Sequence, residues 1–282
     1  MSKKTKIWLL IAVSLVVVGG LIIGGAMTVL KWDFSLLSTA KLETNQFEIT
    51  EAFQGISVLT NTADVEFVPS RDGKTTVVCK EWEKLKHSVR VEDGTLIIES
   101  VDTRKWYDHI GIHVGAAKVV VSMPAGEYGA LSVKLSTGDV NISGDFGFER
   151  VRVGTSTGNI RVEKVTAGAL EFTVSTGKTE MQGVRCKNLV SKGNTGSLTM
   201  TDVIAEEAFS IERSTGNVRF DGCDAAEIYV KTGTGDVTGT LLTEKVFFAQ
   251  TDTGKVDVPK TASGGKCEIE TNTGDIKLKV GK

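Results

Sequence analysis

His109 and His113 stand four residues apart, a spacing that would set two imidazoles on one helix face as metal ligands. Gly111 and Gly115 oppose a helix there. On a strand, Ile110, Ile112 and Val114 pack inward and the two histidines point outward. They are then about 13 Å apart and cannot share an ion. The expectation is an exposed strand or loop around Trp106–His113. Asp139, Asn159, Asn217, Asp236 and Asp275 recur at one register, as a calcium ladder might require. Calcium β-rolls use a nine-residue repeat that is absent here. Lys178 and Lys255 occupy the same register and repel a cation, so the series is expected to cap turns. The chain has 4 cysteines and no CxxC. Cys186, Cys223 and Cys267 fall at three different registers, so they are expected as small buried hydrophobes rather than disulfide or zinc partners. No pair of carboxylates stands out for glycoside hydrolysis, which needs two about 5–10 Å apart. No catalytic, cofactor-binding or metal-ligating residue is assigned, and a non-enzymatic protein is expected.

The elements that would position any of these groups are set by a repeat. Thr-Gly occurs at Thr137-Gly138, Thr157-Gly158, Thr176-Gly177, Thr195-Gly196, Thr215-Gly216, Thr234-Gly235, Thr253-Gly254 and Thr273-Gly274. The glycines are 20, 19, 19, 20, 19, 19 and 20 residues apart. A period near 20 is the signature of a solenoid in which each repeat is one coil. Seven and five residues before each Gly the column is mainly apolar, as in Leu131 and Val133 or Leu170 and Phe172. Two and four residues after it the same holds, as in Val140 and Ile142 or Val218 and Phe220. Spacing by two with polar residues between means half-buried strands. One short strand is therefore expected on each side of the Thr-Gly. A column at plus seven (Val165, Val184, Val203, Cys223, Leu242) predicts a further strand or bend. Gly third in Ser-Thr-Gly-Asp fits a type II turn, which needs positive φ there. Eight coils stacked about 4.8 Å apart make a rod of about 38 Å.

Composition agrees. Gly is abundant at 31 and Pro scarce at 3, and neither the net charge of −2 nor any basic block points to nucleic acid. Residues Ile7–Leu30 are 24 without a charge, long enough to span a hydrocarbon core. This exceeds a secretory apolar region of about 7–15 residues, so an uncleaved transmembrane anchor is expected. Lys3, Lys4 and Lys6 precede it against Lys31 after it. The positive-inside bias places the amino terminus in the cytoplasm and the rest outside. Gly19-Gly20 and Gly24-Gly25 would admit a partner helix.

Between anchor and repeats, Ile56, Val58, Val65 and Phe67 match the four columns if Ala63 stands where the turn Gly should be. This reads as a ninth coil, followed by an insertion over about 69–123. Asp72-Gly73 and Asp93-Gly94 in it are hairpin signals. At the far end, Lys277, Lys279 and Lys282 are expected to protect an open last strand, Asp275 to Val280.

"SMPAGE" followed by "STGDVNISG", "STGNIRVE", "NTGSLTM", "STGNVRF", "GTGDVTG" and "NTGDIKLKV" resembles the bacterial putative-adhesin family of β-strand repeats, of unknown function, over about residues 40–282. The resemblance implies a β-helix-like, membrane-tethered envelope protein without catalytic residues to carry over. The expected fold is all-β: a single-stranded β-helix or β-solenoid of about nine coils with a strand-rich insertion, preceded by one transmembrane helix. The expected division is a cytoplasmic tail (1–6), the helix (7–30), a stalk and first strand (31–54) and an extracytoplasmic solenoid (55–282). The expected role is binding or display at the cell envelope, with the membrane and an envelope polymer or protein as partners and no cofactor. The alternative is an accessory or sensory subunit of an envelope-stress system; a polysaccharide-active enzyme ranks last.

Overall fold

A computed structural model describes residues 2–33, 41–109 and 115–281, the side chain of His109 excepted. The chain divides into two units, residues 1–42 with 104–115, and residues 43–103 with 116–282. The first unit holds one helix, α1 (Lys3–Val29), started by Ser2, whose side chain accepts from Thr5 N. α1 is long and apolar enough to cross a membrane, as a single-pass anchor or as a signal sequence. Among the described residues the unit also holds a 3-10 turn, Trp106–His109. The expected strand through His113 falls on 110–114, outside the described residues.

The second unit is a stack of β-coils. Its strands are β1 (Leu42–Ile49), β2 (Gly55–Thr62), β3 (Asp64–Pro69), β4 (Thr75–Trp82), β5 (Leu85–Glu92), β6 (Thr95–Asp102), β7 (Lys118–Met123) and β8 (Gly126–Thr137). There follow β9 (Val140–Thr157), β10 (Ile160–Thr176), β11 (Thr179–Thr195), β12 (Leu198–Thr215), β13 (Val218–Thr234) and β14 (Val237–Leu241). Last come β15 (Lys245–Thr253), β16 (Val256–Asp257), β17 (Gly265–Thr273) and β18 (Ile276–Val280). From β9 to β13 each strand runs from one Thr-Gly to the next, 17 or 18 residues, and pairs in parallel with its neighbours. The two short strands expected per coil are thus one bent strand. The bend falls six residues after each turn Gly, where Gly144, Lys164, Gly183, Asp202 and Gly222 all have positive φ.

The turn glycines have φ from 133° to 155°, well past the roughly +80° of a type II turn. Their second constraint is the neighbouring coil. A Cβ on Gly177 would lie 1.9 Å from the Gly158 carbonyl oxygen. Only a hydrogen fits, and Gly177 N donates instead to Thr195 O on the other side at 2.9 Å. Ala63 has no positive φ and so does not need glycine; Asp64 N donates to Ala117 O at 3.0 Å.

The predicted apolar columns line the interior except in the outermost coil, where Val256 is exposed and Phe247, Ala249 and Val258 are half-buried. Phe67, Phe146, Phe172, Phe209 and Phe220 are fully buried, each contributing roughly 1.5–3 kcal/mol. The plus-seven column holds through Cys223, but a register shift places Leu241 beside Cys223 and leaves Leu242 exposed.

Coil order departs from chain order at both ends. β6 and β7 pair in parallel with β2 and β3, so these two strands add a layer to the stack. β5 and β4 then run antiparallel to β6 and β7, and β1 lies beside β4. The Asp93-Gly94 turn joins neighbours, β5 and β6, as its hairpin signal predicts. Asp72-Gly73 does not: β3 and β4 are separated by β7. At the other end, β17 and β18 pair with β13 and β14 on one side and with β15 and β16 on the other. The turn bonds agree, with Gly235 N donating to Thr273 O and Gly274 N to Thr253 O. The last strand is therefore not the open edge expected from Lys277 and Lys279; Lys277 is paired on both sides, and β15 has its only pairing with β17 among the described residues. Lys282 lies outside the described residues.

Candidate functional site

The reversed coil at the amino-terminal end breaks the apolar pattern. Strand alternation on β4 turns Thr75, Val77, Cys79 and Glu81 inward; on β5 it turns Leu85 and His87 inward. Glu81 is 1% exposed and His87 6%. An isolated buried carboxylate is very costly, so its partners decide whether the arrangement stands. Glu81 Oε2 accepts from the His87 backbone N at 2.6 Å and faces His87 Nδ1 at 2.8 Å. Glu81 Oε1 accepts from Asn45 Nδ2, on β1, at 2.6 Å. On the far side of the ring, His87 Nε2 stands 3.2 Å from Thr60 Oγ1, on β2. Four strands thus each supply part of one buried polar chain, Thr60–His87–Glu81–Asn45. Cys79 lies against it, its thiol pushed up to about 12 by burial and by the charge of Glu81. Cys79, Glu81 and His87 form a group with metal-ligand chemistry, and no residue of it is assigned from the sequence. The signal was present: Val77, Cys79 and Glu81 alternate with Val78 and Lys80, so a carboxylate falls where a core residue belongs.

A family profile described as Toastrack DUF4097 matches residues 53–282. The chain belongs to the Toastrack DUF4097 family. The Toastrack chain is also similar in fold to a putative adhesin from Bacteroides fragilis NCTC 9343, with a TM-score of 0.55 and 16% identity over 85% of this chain and 97% of that one. A putative adhesin from Parabacteroides distasonis ATCC 8503 gives 0.53 and 15%, over 86% and 98%. At such identities the likeness is one of fold. No functionally curated protein matches the chain significantly.

In this Toastrack solenoid the Asp/Asn series does cap backbone, but across coils. Asp64 Oδ1 accepts from Asp139 N, Asp139 Oδ1 from Asn159 N and Asn159 Oδ1 from Lys178 N, at 2.7–2.9 Å. The run stops at Lys178, which has no acceptor to offer. It resumes from Asn217 through Asp236 and Asp275 to Lys255, in the spatial order of the coils. The four cysteines are buried free thiols. Cys186 and Cys267 are pushed up to about 12 by burial, and Cys223 is raised as well. The side chains of His109 and His113 lie outside the described residues.

Two further buried charges were missed. Arg213 points inward, where burial lowers its guanidinium to about 10. Its Nη2 donates to Ser191 Oγ at 2.8 Å and its Nη1 to Glu212 O at 2.9 Å. A Cβ on Gly193 would stand 2.9 Å from Nη1. Ser191 and Gly193, out of place in their columns by type, make room for this cation. Lys245, on β15, pairs with Asp224 at 2.6 Å beside a depression of about 630 Å³ also lined by Ala205, Ala225 and Gly265.

Proposed function

We propose that this protein is a membrane-anchored, extracytoplasmic solenoid that works by binding or display and not by catalysis. The observation that carries the reading is α1: an apolar helix preceded by Lys3, Lys4 and Lys6, a charge pattern that favours a cytoplasmic amino terminus. The stack behind it suits display. Its outward columns carry cross-coil pairs such as Arg152–Glu171 and Arg161–Glu180, at 2.8 and 2.6 Å. Each exposed pair contributes only about 0–1 kcal/mol, so these charges are available to a polar partner, an envelope polymer or protein. The likeness in fold to two structures described as adhesins supports a binding role.

Protease added to intact cells tests placement. Digestion of a carboxy-terminal tag, with the amino terminus spared, is expected; a protected tag ends the proposal. A second reading, an accessory subunit in envelope-stress signalling, is favoured by Gly19-Gly20 and Gly24-Gly25, small residues that let a partner helix approach closely. Leucine at Gly20 and Gly24 that abolishes a stress response but spares surface binding selects this second reading.

A further inference from the structure

Cys79, Glu81 and His87 bring one sulfur, one carboxylate oxygen and one ring nitrogen within 4.8 Å of one another, all buried. We propose that these three side chains bind one divalent transition-metal ion of the zinc class. Thiolate, imidazole and carboxylate are the donors that zinc takes, at about 2.0–2.3 Å. Tetrahedral bonds of that length set the donors roughly 3.3–3.8 Å apart. The cluster closes on an ion by side-chain movements of about 1 Å.

The far atom of each polar ligand is already held. Asn45 Nδ2 takes Glu81 Oε1 and leaves Oε2 facing the cluster. Thr60 Oγ1 stands 3.2 Å from His87 Nε2; in the Nε2–H tautomer it accepts that proton and leaves Nδ1 for the ion. Outer partners of this kind fix the tautomer and the ring orientation of a ligating histidine. Nδ1 and Oε2 face each other at 2.8 Å.

With the ion in place, the Cys79 thiol has given up its proton to solvent and the imidazole binds as a neutral ring. Thiolate and carboxylate then neutralise the divalent cation, so no net charge is buried with the ion. A hydrogen-bonded pair alone gives Cys79 no part; the ion gives all three residues one.

The test uses the full-length chain in detergent, stripped with chelator and titrated with Co²⁺ and then Zn²⁺. One Co²⁺ per chain is expected, with thiolate-to-cobalt charge-transfer absorption that Zn²⁺ abolishes. Cys79→Ser removes that absorption. Asn45→Ala keeps it and weakens Zn²⁺ binding about 10–100-fold. Three results overturn the proposal: less than one equivalent bound by the folded wild type, no charge-transfer band, or a band that survives in Cys79→Ser. The wild-type titration decides even where a variant fails to fold.

Discussion

A Cβ placed on Gly158 would lie 1.9 Å from the carbonyl oxygen of Gly138, one coil away. The turn column is thus a line of closest approach between coils, and backbone φ is its second demand, +146° at Gly158. Gly158→Ala is expected to cost at least about 2 kcal/mol. Gly154→Ala is the control, because a Cβ there meets nothing within 4 Å and an ordinary site shifts stability by about 0.5 kcal/mol or less. Urea unfolding of the two variants compares them directly. Equal midpoints would contradict the close-approach account.

The carboxylate and amide ladder beside that column makes its own prediction. Asp139 Oδ1 accepts from both Asn159 N and Asn159 Nδ2, at 2.7 and 3.2 Å. Asp139→Ala removes both bonds and is expected to lose about 1 kcal/mol, whereas Asp139→Asn keeps the acceptor and most of the stability. Thermal melts of both variants at one salt concentration check the difference.

Lys245 and Asp224 tie β15 to the body of the stack. Lys245→Met alone takes the cation from a half-buried carboxylate that keeps only the bond from Ala225 N, and is expected to cost about 3 kcal/mol. Lys245→Met with Asp224→Leu removes both charges and recovers most of that loss. Chemical unfolding of the single and double variants measures the recovery; a double variant no better than the single would show that packing, not charge, is at stake.

Burial pushes three thiols, those of Cys79, Cys186 and Cys267, up to about 12 in the folded chain from 9.0 for a free thiol. Their folded pKa is raised, so the unfolded chain releases thiol protons first. The stability they contribute is complete below about pH 9 and is lost as pH rises from there toward 12. Unfolding midpoints are expected to fall across that window, and less steeply in Cys186→Ala. At pH 8 a maleimide is expected to label none of the four cysteines in the folded chain and all four in denaturant.

The coils were legible because their physics is local and repeated. Gly at each turn, and apolar residues at minus seven, minus five, plus two and plus four, mark the same environment eight times over. The second corner was not legible. Lys164 and Asp202 occupy a positive-φ position there beside Gly144, Gly183 and Gly222, so residue type varies where conformation does not. Stacking order was also hidden, since one coil's columns fit any other coil's; only pairing shows that β17 enters between β13 and β15. The polar cluster escaped because Asn45, Cys79, Glu81 and His87 lie on strands outside the repeat, and only Thr60 stands in the ninth coil. Ser191 and Gly193 are small where Arg213 needs room, a relation between coils that one coil's residues do not show.

The interposed last coil changes what a shortened chain would be. A product ending before Gly265 keeps β15 but lacks the only strand it pairs with, and β13 loses its pairing over Ile228–Thr234 at the same stroke. Loss of the final segment does not yield a shorter rod with an intact tip; it removes a middle rung and sets the outermost one adrift. Assembly at this end must wait for the tail to be delivered, so an unfinished chain carries two raw sheet edges for quality-control proteases to find.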